Sequence, residues 1–387
     1  MTALPSGFTA VVANVGIKDA SDDPPTTLLV ADRPATAAAV FTKSRFAGPS
    51  VVLSRDHVGD GQARAIIVLS KNANVANGPD GIADAAEVVG LVADGLGCGA
   101  SEVLIASTGV IGRRYPMERI RSGLPPVLAA RRTAELEDLA RGIMTTDTVP
   151  KTSSAMIGDG PAIVAGVAKG VGMIEPDMAT MIAVIMTDAD VGRDRLEAVF
   201  RSVVDRTFNC VSVDGDTSTS DSAFILASGA AGEVDDAAFE RALSTVCTSL
   251  ARQIAADGEG AETLIEVLVD GASSPAQARR VAKSIVNSPL VKTAVHGADP
   301  NWGRVAMAIG KCADDTDIDP ESVVIRFGST ETYPTRLDES GLANLSAYLR
   351  GDEVVIHVSL GAGTHSATVW GCDLTEGYIR INADYTT

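Results

Sequence analysis

Aromatic side chains are scarce in this chain. Phe, Trp and Tyr together make up 4% of its 387 residues, although 45% are hydrophobic. A core short of rings must be filled by Val, Ile, Leu and Ala, which suits sheets covered by helices. Cysteine is sparse as well. Cys98, Cys210, Cys247, Cys312 and Cys372 stand far apart, with no CxxC pair. Such a set excludes a disulfide framework and fits a reducing cytoplasm. The four histidines (His57, His296, His357 and His365) show neither HxxxH nor HExxH spacing, which speaks against a zinc site. Positive charge is in deficit, with 32 Lys and Arg against 50 Asp and Glu and a net charge of −18. Nucleic acids and anionic membranes need a basic surface, so neither is an expected partner. A small anionic substrate would need a local cation. The first residues, Met1-Thr2-Ala3-Leu4-Pro5-Ser6-Gly7, lack the basic and apolar segments of a signal peptide. No apolar run reaches bilayer-spanning length. The expectation is a soluble cytoplasmic protein of one large α/β domain or two smaller ones.

What the chain does have is short β-rich runs separated by polar junctions. Thr27–Val30, Ala38–Phe41, Val51–Leu53 and Ala65–Leu69 read as strands with turn residues between them, an antiparallel or mixed sheet rather than a βαβ series. An amphipathic helix is predicted from about Ile82 to Leu96, ended by Gly97. Two more helical segments follow near Met117–Ala130 and Ala134–Met144, and others at Asp194–Phe208, at Asp236–Ala256 and after Ser274-Pro275. The last third returns to strands at Val323–Phe327, Val354–Leu360, Ala367–Trp370 and Tyr378–Ile381. The chain stops soon after, at Asn382–Thr387, with no loose tail, which suggests a packed C-terminus.

The junctions carry the chemistry. Glu175-Pro176-Asp177-Met178-Ala179-Thr180 leads a turn into the apolar run Met181–Met186. Thr180 therefore sits at the mouth of a core strand, where a nucleophile could be held firmly. Taken alone, that window reads first as a Thr capping a strand. The strand at Glu102–Ser107 exits into Thr108-Gly109, which offers a hydroxyl beside an unhindered N–H, a pair able to stabilise an oxyanion or simply an ordinary strand exit. Thr145-Thr146-Asp147-Thr148 before Val149-Pro150 is a polar loop, suited to caps and turns or to substrate. Lys169 stands between an apolar strand and Gly170-Val171-Gly172, and Glu259 lies between Gly258 and Gly260 just past a helix. Asp214–Asp221 lacks the glycine and closing glutamate of a calcium loop and reads as a polar turn with local hydrogen bonds.

Together these motifs resemble, over essentially the whole chain, the ornithine acetyltransferases, also called glutamate N-acetyltransferases. The carrying segments are Ser107–Gly112, Met144–Thr148, Ala168–Met173, Glu175–Met181, Asp257–Gly260, His296–Gly303 and Gly371–Tyr378. The Arg45–Leu53 run is similar to the family branch associated with clavulanic acid biosynthesis in streptomycetes.

The resemblance implies an αββα layered sandwich of the type shared with DmpA-like aminopeptidases, with a smaller α/β portion near the C-terminal half. It implies a precursor that cuts itself between Ala179 and Thr180 into chains 1–179 and 180–387, assembled as an α2β2 heterotetramer. The new α-amine of Thr180, with an ordinary pKa of about 7.7–8.0, could then serve as general base without any histidine. Thr108 and Gly109 would form the oxyanion hole, and Thr145, Lys169, Thr180, Glu259, Asn382 and Thr387 would line the substrate site. Lys169 would meet a substrate carboxylate, and Glu259 an ammonium group. The implied activity is ping-pong transfer of acetyl from N2-acetylornithine to glutamate, without cofactor or metal, in the acetyl cycle of arginine biosynthesis or in a specialised cluster. Two rivals are an N-terminal-nucleophile aminopeptidase of related fold and a non-catalytic binding protein on the same scaffold.

Overall fold

The computed structural model describes residues 3–18, 25–130, 134–175 and 181–384. They fall into two compact units, one drawn from Met1–Asp205 and Asp216–Leu250, the other from Arg206–Gly215 and Ala251–Tyr385. Both are mixed α/β, the class expected from the sequence.

The first unit holds β1 (Phe8–Ala13), β2 (Thr26–Phe41), α1 (Pro49–His57), β3 (Gln62–Leu69), α2 (Gly78–Leu96), β4 (Val103–Ser107), α3 (Met117–Ala130), α4 (Leu136–Ile143), β5 (Lys151–Met156), β6 (Ile163–Lys169), β7 (Ile182–Asp190), α5 (Arg193–Arg206), β8 (Ser222–Glu233) and α6 (Asp236–Ala256). Its strands form one sheet in the order β4-β3-β2-β8-β7-β6-β5, with β1 added on β2. Pairs β3–β4 and β7–β8 run parallel, and the others run antiparallel.

Alternation along the strands separates two cores. Leu29, Ile66, Leu104, Val184 and Phe224 face α4 through Leu136, Leu139 and Ile143. Leu28, Ile67 and Ile105 face α2 through Val88 and Val92, and α3 through Ile120 and Leu124. α4 lies close on the sheet because Gly142 carries no side chain. A methyl there would come within 2.7 Å of Val12 Cγ1. That close seat fixes where the polar loop after α4 begins.

Two readings of this half are corrected. Thr27–Val30 and Ala38–Phe41 are the ends of one long strand, bulged between Val30 and Ala35. Val51–Leu53 is not a strand but the middle of α1. Gly48 is extended at its N-cap and Pro49 opens it. Ser54 then both donates to the Ile105 carbonyl at 2.7 Å and accepts the Ile105 N–H at 2.6 Å. A helical turn puts Val51 and Ser54 on the buried face and leaves Val52 exposed.

The second unit holds β9 (Leu264–Ala272), α7 (Pro275–Val286), α8 (Pro289–His296), α9 (Trp302–Gly310), β10 (Val324–Phe327), β11 (Thr330–Tyr333), α10 (Glu339–Tyr348), β12 (Glu353–Ser359), β13 (His365–Cys372) and α11 (Glu376–Asp384). Its sheet runs β11-β10-β12-β9-β13, with only β9 and β12 parallel. The Ser274-Pro275 start is as expected, with the Ser274 hydroxyl accepting the Gln277 N–H at 3.1 Å. The predicted strand at Tyr378–Ile381 is instead part of α11. The Thr375 hydroxyl accepts the Gly377 N–H at 3.0 Å and so caps a turn that continues as helix.

Candidate active site

β4 delivers Thr108 and Gly109 to the end of the sheet beside β3. The Thr108 N–H still belongs to the sheet, donating to the Leu69 carbonyl at 3.1 Å. Gly109 then turns with φ +130, and a methyl on it would come within 2.6 Å of the Asn72 nitrogen and 2.7 Å of the Lys71 α-carbon. Only glycine lets the two backbones touch here. Among the described residues the Gly109 N–H makes no backbone hydrogen bond. The other side of the contact is strained too. Lys71 has φ 75, a left-handed backbone that costs a non-glycine residue energy and that collects at functional sites. Its ammonium group donates to the Thr145 carbonyl at 2.6 Å.

Thr145 is thus held from one side by Lys71 and from the other by Asp147. Asp147 Oδ2 accepts the Thr145 N–H at 3.0 Å, while Oδ1 accepts the Gly170 N–H and the Lys151 ammonium, both at 2.8 Å. The Asp147 and Lys151 side chains are fully buried. Burial pushes the Asp147 carboxyl up, but Lys169, Lys151 and the donated hydrogen bonds outweigh it and hold the group at about 2. Lys169, the last residue of β6, is itself only 3% exposed. Two lysines and one ionised carboxylate give this cluster a net positive charge, which suits an anion in a protein of charge −18.

Lys169 pairs in register with Ile182 at the start of β7. The residue before it, Met181, is pinned at both polar atoms. Its N–H donates to Asp221 Oδ1 at 2.7 Å, and its carbonyl accepts the Ser222 N–H at 3.1 Å. Asp221 is buried, and burial drives its carboxyl well above the usual carboxylate range. Its Oδ2 is enclosed without a hydrogen-bond partner among the described residues. Thr180 is joined to Met181 and itself lies outside the described residues, as do Ala179 and Thr387.

In the second unit, Asn382 on α11 donates to Glu259 Oε2 at 2.9 Å. Gly260, with φ +71, lets α11 begin against it, since a methyl there would come within 2.6 Å of the Gly377 carbonyl carbon. The structure therefore gathers Thr108, Gly109, Thr145 and Lys169 through one set of contacts in the first unit, and Glu259 with Asn382 in the second.

One further group could accept an ion. Ligand atoms of Glu262, His296 and Asp373 lie within 4.8 Å of one another. They already close on themselves, with Asp373 Oδ1 accepting the Glu262 and Thr263 N–H groups and Oδ2 lying 3.1 Å from His296 Nδ1.

Sequence reasoning missed Lys71, Lys151, Asp147 and Asp221 as members of the site. Asp147 lay in plain view within the hydroxyl run, and its spacing of four from Lys151 was the available signal. Asp221 was hidden in a polar turn that reads as self-satisfied, and only its pairing with Met181 distinguishes it.

Residues 9–387 match the model of the ArgJ family. The chain belongs to the ArgJ family. Among its relatives is the arginine biosynthesis bifunctional protein ArgJ 2 of a Nostoc species, 56% identical over 386 residues that cover 100% of this chain and 99% of that protein. Another is the glutamate N-acetyltransferase Oat2 of Streptomyces clavuligerus, 55% identical over 99% of this chain and 98% of that protein. The expected nearness to a streptomycete copy is thus met, and the cyanobacterial ArgJ is as similar. Of solved structures, the ornithine acetyltransferase of Mycobacterium tuberculosis complexed with ornithine is 36% identical, covers 44% of this chain and 92% of that chain, and has a TM-score of 0.42. In this ArgJ-family chain the motifs quoted from the sequence all fall within the matched residues. Among the described residues no helix is long and apolar enough to cross a membrane.

Proposed function

We propose that this chain is a glutamate N-acetyltransferase that moves the acetyl group of N2-acetylornithine to glutamate in arginine biosynthesis. The observation that carries the reading is the single contact set linking Gly109, Lys71, Thr145, Asp147 and Gly170 beside a buried Lys169. That contact set supports reading the Gly109 turn as the oxyanion site and Lys169 as the cation for a substrate carboxylate. A relative named glutamate N-acetyltransferase, 55% identical over 99% of this chain, supports it.

Maturation comes first. The Thr180 hydroxyl attacks the Ala179 carbonyl, the peptide C–N bond breaks, and an ester joins the two parts. Water hydrolyses that ester, leaving chains 1–179 and 180–387 and a free α-amine on Thr180. Two copies of each chain form the heterotetramer. In turnover the amine takes the proton of the Thr180 hydroxyl as the oxygen attacks the acetyl carbonyl. The oxyanion is held by the Thr108 hydroxyl and the Gly109 N–H. Ornithine leaves with the proton, and an acetyl ester remains on Thr180. The amine of glutamate attacks that ester in turn and leaves as N-acetylglutamate. Lys169 meets the α-carboxylate in both halves, and Glu259, steadied by Asn382, meets the side-chain ammonium of ornithine.

The test is product analysis with N2-acetylornithine, with and without glutamate. Formation of N-acetylglutamate equal to the ornithine released supports the assignment. Free acetate at the same rate in both reactions would make the protein a hydrolase instead.

A further inference from the structure

Asp147 touches the two segments that bind substrate without being placed to touch substrate itself. Its side chain is fully buried. One oxygen takes the Thr145 N–H, and the other takes the Gly170 N–H, directly after Lys169. We propose that Asp147 is a positioning residue that locks the Thr145 loop to the end of β6, so that Thr145 and Lys169 present one fixed site to the substrate carboxylate. This inference rests on the acetyl-transfer reading of the same site.

The geometry argues for this in three ways. Thr145 follows α4 and Lys169 ends β6, so their relative placement depends on a contact between two separate elements. Asp147 supplies that contact by accepting two backbone N–H groups, so neither donor segment depends on its own side-chain rotamers. A buried carboxylate beside a carboxylate-binding site would ordinarily repel the substrate. Lys169 and Lys151 together offset that charge, Lys151 being fully buried and 2.8 Å from Asp147. Lys71 extends the same frame to the oxyanion turn, through the Thr145 carbonyl on one side and the Gly109 backbone on the other.

The test is Asp147→Asn in the full, matured protein. The amide keeps the size of the side chain but cannot accept at both ends. KM for N2-acetylornithine is expected to rise about 10- to 100-fold, with kcat changed by less than about fivefold. With the α-amide of N2-acetylornithine as substrate, which lacks the carboxylate, wild type and variant are expected to share one KM. A variant that folds and keeps the wild-type KM for N2-acetylornithine would overturn the proposal, and so would an equal loss on the acid and the amide. If Asp147→Asn does not fold, Asp147→Glu keeps the charge and displaces the oxygens, and an unchanged KM there is equally fatal. Ornithine binding by titration calorimetry separates this proposal from the reading beneath it. The affinity falls in the variant whether or not wild type acetylates glutamate. Failure of transfer in wild type counts against the assigned reaction, and wild-type ornithine affinity in Asp147→Asn counts against the role of Asp147.

Discussion

Gly109 and Lys71 touch backbone to backbone, so closely that a β-carbon on Gly109 would come within 2.7 Å of the Lys71 α-carbon. The contact aligns the strand end of β4 with the loop after β3, and the N–H of Gly109 is aimed by it. Both partners hold left-handed or equally restricted backbone, with φ +130 at Gly109 and φ 75 at Lys71. Gly109→Ala should therefore cost at least about 2 kcal/mol of stability, from strain and overpacking together. Denaturant unfolding of the two proteins checks this. A variant as stable as wild type would mean that the turn relaxes and that the contact is not a constraint.

Thr108 differs from its neighbour in that its hydrogen bond in the sheet is made by the backbone. Its N–H bonds Leu69 and would do so with any residue in place. Thr108→Ala should keep the fold and its thermal unfolding temperature while slowing acetyl transfer about 100- to 1,000-fold. Transfer at wild-type rate would remove the hydroxyl from the oxyanion hole.

Acid should act on Asp147 in a defined window. Its carboxyl lies near 3.8 when exposed and is held at about 2 in the fold. A depressed folded value contributes stability above the unfolded value and loses it as pH falls through the folded one. That contribution, on the order of 2 kcal/mol, should be whole above about pH 4 and gone below about pH 2. Unfolding free energies of wild type and Asp147→Asn, compared from pH 5 downward, should converge across that window. Parallel curves would contradict the buried ion pair.

Asp221 should show the opposite sign. Burial raises its carboxyl well above 3.8, so its neutral form belongs to the folded state. Stability is then full below the unfolded value and declines as pH rises toward the folded one. Asp221→Asn keeps an oxygen to accept the Met181 N–H and cannot ionise. The variant should gain on wild type as pH rises above about 4, while Asp221→Ala should lose about 1–3 kcal/mol through the unsatisfied Met181 donor. Chemical denaturation at several pH values distinguishes them, and a constant offset between wild type and Asp221→Asn would refute the neutral carboxyl.

Elements whose pattern is local were legible in the sequence. The Ser274-Pro275 helix start is set by a cap and a proline, and β6 and β7 are apolar runs too short for helices. Val51–Leu53 misled because two β-branched valines beside an apolar leucine outweigh the Gly48-Pro49 start in a local count. Their helix is set by a hydrogen bond from Ser54 to a strand about fifty residues away. Tyr378–Ile381 misled for the same reason, its helix being fixed by Thr375 and the close approach of Gly260. In the site, Thr108, Gly109, Thr145, Lys169 and Glu259 came from motifs that resemble a known family, and Asn382 from what that resemblance implies. Lys71 and Asp221 act through the first set by contacts 74 and 40 residues apart and so left no local signature, whereas Asp147 and Lys151, four residues apart, did leave one.

The central claim is that Thr180 carries the acetyl group between donor and acceptor. Intact mass under denaturing conditions, after incubation with N2-acetylornithine and no glutamate, tests it most directly. Two chains are expected, with the one beginning at Thr180 heavier by a single acetyl group, and loss of that group when glutamate is added. An uncut chain that never gains acetyl, or acetyl that resists glutamate, would contradict it.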